Sequence, residues 1–66
     1  MSAPAYLHVT RYTPRPVGLA EVTVCLPARG PDEVPYIPRV LLMNAAQLLE
    51  LWRELRARGP VRLYFH

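Results

Sequence analysis

Apolar and polar positions alternate in two stretches of the first half of the chain. In 5–13, Ala5, Leu7 and Val9 fall on one side, and Tyr6, His8, Thr10 and Tyr12 on the other. In 19–26, Ala20, Val22, Val24 and Leu26 oppose Leu19, Glu21, Thr23 and Cys25. A period of two in segments rich in valine, threonine and tyrosine predicts half-buried strands. The link between them is Thr-Pro-Arg-Pro-Val-Gly. Its prolines lack the N–H that a ladder requires, so it reads as the loop of an antiparallel hairpin.

After Asn44 the period changes. Ala45, Leu48, Leu51, Trp52 and Leu55 recur at helical spacing, with Gln47, Glu50, Arg53, Glu54, Ala57 and Arg58 opposite. Asn44 is a good N-cap, and Gln47 stands three residues on, where it can complete a capping box. Arg56 and Arg58 come late, where the helix dipole favours cations. Gly59 is expected to take a left-handed C′ conformation, and Pro60 prevents continuation. The spacing predicts a helix over 45–58. Alternation then resumes over 61–65, with Val61, Leu63 and Phe65 against Arg62, Tyr64 and His66, and predicts a last strand.

Two segments are less regular. Residues 27–38 hold four prolines, one glycine and the pair Asp32-Glu33. A loop of this length is long for a small domain, and Arg29, Asp32, Glu33 and Tyr36 are its candidate contact residues. The segment 39–43 is apolar beyond Arg39 and reads either as a third strand or as a connector beneath the helix. If it is a strand, the helix joins two parallel strands as a crossover.

The expected fold is α+β in two layers, one small domain over 1–66. A three- to four-stranded, mostly antiparallel sheet packs one face on a single α-helix, in the order ββ(β)αβ. The expected core is Leu7, Val9, Val22, Val24, Leu48, Leu51, Trp52, Leu55, Val61, Leu63 and Phe65. With 66 residues and one cysteine, no intrachain disulfide reinforces that core. A small core favours either self-association or docking on a partner.

Composition narrows the function classes. All eight basic residues are arginine, and the net charge is +3. The arginines are scattered along the chain, unlike the clustered charge of a dedicated nucleic-acid binder. No apolar run has membrane-spanning length, and no basic-then-apolar leader opens the sequence. A lone cysteine fits a reducing compartment, so a cytoplasmic location is expected.

No catalytic constellation is visible. The three glycines are isolated, and Ser2 is the only serine. Cys25 with His8 is the one conceivable nucleophile–base pair, and no third residue orients the imidazole. Glu50 and Glu54 share a solvated, arginine-lined helix face. Two histidines are too few to specify a metal, so no metal or cofactor is expected.

The remaining candidate is the sheet face that the helix leaves open. Tyr6, His8, Tyr12, Arg62, Tyr64 and His66 share it if the first and last strands are neighbours. Tyrosine and arginine are favoured at protein interfaces. On an open sheet they also suit stacking of single-stranded nucleic acid. The leading expectation is a non-enzymatic module that docks on a larger protein or complex, or on a second copy of itself. Small phage or mobile-element proteins that inhibit host complexes have this character. The alternative expectation is a nucleic-acid-binding module that uses the same face.

Overall fold

A computed structural model describes residues 3–13 and 18–66, with the backbone alone for 11–13. Four strands and one helix follow in the order β1 (Ala5–Thr13), β2 (Leu19–Cys25), β3 (Arg39–Met43), α1 (Ala45–Arg58) and β4 (Val61–Phe65). They form one mixed sheet of spatial order β3-β2-β1-β4. The β1–β2 and β2–β3 pairs are antiparallel, and β4 adds to β1 in parallel. The first and last strands are therefore adjacent. The segment 39–43 is a strand, and it runs parallel to β4 with two strands between them. Pro14–Val17 of the expected hairpin loop lie outside the described residues.

Alternation sets the two sheet faces. Leu7 and Val22 are wholly buried, and Ala5, Val9, Ala20, Val24 and Met43 join them on the helix side. The pairs Leu7–Val24 and Val9–Val22 place the core at the centre of the sheet. Helix α1 closes it with Leu55, its one fully buried residue, while Leu48, Leu51 and Trp52 pack at the margin. The Arg56 guanidinium lies over the Trp52 ring, 6.0 Å from its centroid, at the outer limit of a cation–π contact.

The helix boundaries follow from local chemistry. Asn44 Oδ1 accepts the Gln47 N–H at 2.8 Å, and Gln47 Oε1 accepts the Asn44 N–H at 2.9 Å. This reciprocal box satisfies two amides that the first turn leaves without partners. The C-terminus differs from expectation. Gly59 has φ 169° and ψ −170°, an extended conformation rather than a left-handed one. The cause is Pro60, whose ring pushes the preceding residue out of helical space and toward extended backbone. The Gly59 N–H still reaches the Leu55 carbonyl at 3.1 Å, so the last turn closes.

Two expected core residues are exposed, and Leu48, Leu51, Trp52 and Val61 are partly buried. Phe65 is 70 % exposed and Leu63 36 %. The connectivity explains both. The helix starts beside Met43 on one edge strand and ends beside Val61 on the other, so it crosses the sheet diagonally. A diagonal helix covers two corners of a four-stranded sheet and leaves the other two open. One open corner holds Phe65, which pairs with Val9. The opposite corner, around Val24 and Arg39, is bordered by Val34 and Ile37 of the 26–38 loop and forms a shallow cleft.

Candidate interaction surface

On the face away from the helix the ladder aligns three rows. Arg62, Tyr6 and Cys25 are opposite one another; Tyr64, His8, Thr23 and Val40 form the next row; Glu21 and Leu42 lie in the third. A register shift between Val9 and Arg11 sets two residues of β1 against one of β2, as in a β-bulge. Beyond it Arg11 pairs with Glu21, and Tyr12 pairs with Ala20, a helix-side position. Uninterrupted alternation places Tyr12 with Tyr6 and His8; the backbone register does not. The Tyr12 side chain lies outside the described residues.

The parallel β1–β4 pairing brings five of the six expected residues together, with Arg62 opposite Tyr6 and the rings of the other four in contact. His8 and Tyr64 are cross-strand neighbours whose rings lie 5.0 Å apart and 16° from parallel. Tyr6 sits one step along the diagonal, 6.5 Å from Tyr64 and 14° from parallel. At the other end His8 Nδ1 and His66 Nε2 are 2.9 Å apart. The ring centroids of the two histidines are separated by 5.2 Å. That separation is used up by the contact plus the reach of each ring, so the nitrogens lie on the line between the centroids. These imidazoles meet edge to edge, one donating and one accepting. The His66 N–H also donates to the Val9 carbonyl at 2.9 Å, which holds its backbone against β1.

Tyr36 extends the array from the loop. Its ring meets Tyr6 edge-on at 5.4 Å, and its hydroxyl donates to the Pro4 carbonyl at 3.0 Å. Its backbone N–H donates to the Leu26 carbonyl at 2.7 Å. The residue adopts φ 59°, a left-handed conformation that a tyrosine takes only when its surroundings fix it. Here three contacts do so. The other loop candidates, Arg29, Asp32 and Glu33, are exposed, and the Glu33 N–H closes a turn on the Gly30 carbonyl. Arg29 and Glu33 border the shallow cleft beside Arg39.

The Cys25–His8 pair gains no support from this geometry. His8 bonds His66, Cys25 pairs with Tyr6, and no hydrogen bond joins His8 to Cys25 among the described residues. Among those residues no group of three or more metal-ligating side chains gathers either.

Sequence reading missed the contribution of β3. Val40 and Leu42 on the outer face are 59 % and 64 % exposed, and Leu41 on the helix side is 46 % exposed. β3 is an edge strand, with β2 on one side only. The signal was present as four consecutive apolar residues without alternation, a pattern equally compatible with a buried strand.

No described helix is long and apolar enough to cross a membrane. No protein-family model matches the chain, and none of the curated proteins or solved structures compared with it does so.

Proposed function

We propose that the chain is a non-enzymatic interaction module that docks on a larger protein or complex through β3 and the outer sheet face. The observation that carries this reading is the exposed apolar edge strand. Edge strands are ordinarily blunted by charge, proline or a covering segment, because their unpaired N–H and C=O groups recruit further strands. Between Arg39 and Met43, β3 has Val40, Leu41 and Leu42, each about half exposed or more. An added partner strand would satisfy the free backbone groups, and its side chains would cover these three residues. Occlusion of a surface on the larger complex, as by a phage or mobile-element inhibitor, is the mode we favour.

The test compares the wild-type chain with a Val40→Lys, Leu42→Lys double variant in affinity capture from a native lysate and in light scattering. A protein retained by the wild-type chain and lost by the variant supports the reading. A strictly monomeric wild-type chain that retains no protein refutes it.

The aromatic array beside Arg62 favours a second reading, a stacking surface for single-stranded nucleic acid. It is the weaker one, because His8 and Tyr64 stack on each other and each has one ring face closed to an incoming base. Tyr64→Ala and Arg62→Ala should each weaken such binding, with a steep salt dependence. Absence of any gel shift at low salt removes it.

A further inference from the structure

The geometry points to a two-histidine clamp for a divalent transition-metal ion at the outer end of the β1–β4 pair, formed by His8 Nδ1 and His66 Nε2. Two ring nitrogens from residues 58 apart in sequence approach to 2.9 Å. Metal–imidazole bonds are about 2.0–2.1 Å long, so two of them at a right angle hold their nitrogens about 2.9 Å apart. At a tetrahedral angle the separation rises to about 3.3 Å on the same bond lengths. Rotation of the rings out of their hydrogen bond opens the 2.9 Å spacing toward either bite, so the pair fits imidazole-binding divalent ions as a class.

The backbone already brings the ligands together. His8 sits within β1 with its ring against Tyr64, and the His66 amide is bonded to Val9. Both imidazoles now point along the line between them, so an ion lying off that line requires each ring to swing toward it. His66 is exposed and is free to supply most of the rotation. The proton balance is simple. In the neutral pair one of the two facing nitrogens carries a proton. On metal binding that ring moves its proton, through solvent, to its other nitrogen, and both facing lone pairs become available. No net proton is released from the neutral pair, whereas a protonated pair must lose one, so binding weakens in acid.

No third His, Cys, Asp or Glu joins the pair among the described residues, so positions on the ion are left for solvent and the site is an open one. Because one ligand lies in β1 and the other directly follows β4, the ion ties the end of the edge strand β4 to the centre of the sheet.

The test is calorimetric titration of the untagged chain with Ni(II), which the Cys25 thiol does not reduce as it would Cu(II). Saturable binding of one ion per chain is expected, with a rise in melting temperature. His8→Ala and His66→Ala should each weaken it at least about tenfold, the loss known even for outer-shell partners of metal ligands. Cys25→Ala should leave it unchanged. His66 is exposed, so its variant keeps the core intact and carries the test even if His8→Ala lowers stability. No saturable binding to the wild-type chain, undiminished binding by either histidine variant, or loss on Cys25→Ala overturns the assignment.

Discussion

Replacing Leu55 or Leu49 by alanine separates the packing of the helix from its intrinsic propensity. The two leucines lie in the same helix, and exchange for alanine changes helix propensity equally at both. Leu55 is 8 % exposed against the sheet, and Leu49 is 47 % exposed. A buried Leu→Ala change costs about 2–5 kcal/mol in transfer and cavity terms. Leu55 also borders a cleft lined by Ala5, Leu26 and Pro60, so water enters part of the space left behind. That favours the lower half of the range, about 2–3 kcal/mol. A domain of this length has a total stability of about 3–10 kcal/mol. Leu55→Ala therefore removes a large fraction of it, whereas Leu49→Ala should change stability by less than about 1 kcal/mol. Urea unfolding followed by circular dichroism measures both. With a slope of about 1 kcal/mol/M, the Leu55 variant should unfold at about 2–3 M lower urea than wild type. Equal midpoints for the two variants would show that the helix does not pack on the sheet through Leu55.

Further outcomes follow from the same structure. Asn44→Ala, which breaks the capping box, should cost about 1 kcal/mol by the same unfolding assay. Phe65→Ala should cost less than about 1 kcal/mol, although a fully buried phenylalanine costs about 3–5; a value in that higher range would mean that Phe65 is covered. Tyr36→Phe deletes the hydrogen bond to Pro4 and should cost about 0.5–1.5 kcal/mol, with amide shift changes near Pro4 and Leu26 in NMR spectra. Leu42→Lys, at an exposed edge position, should alter stability by no more than about 0.5 kcal/mol while weakening partner capture.

The helix was the most legible part of the sequence, because cap, apolar face and proline stop are all local signals and agree. The hairpin and the last strand were legible for the same reason, since period-two alternation reports a strand without reference to its neighbours. Coverage was not legible. Alternation assigns Leu63 and Phe65 to the helix side, but whether a helix lies over them depends on its diagonal path, which the strand order decides. The β3 segment was ambiguous because an edge strand exposed on both faces shows no period. A bulge near Thr10 shifts the backbone register of β1 by one residue, which alternation alone does not report. Of the candidate surface, the grouping of Tyr6, His8, Tyr64 and His66 was legible only on condition that the end strands touch. The seat of Tyr36 depends on contacts 30 residues apart, which no local pattern reports.

The claim that β3 is the docking edge is tested most directly by amide hydrogen exchange on the chain alone and in its captured complex. In the free chain, the β3 amides that point away from β2 should exchange fast, and partner binding should slow them while the helix amides change little. Unchanged exchange in β3, with new protection on the helix or the loop instead, would contradict the account.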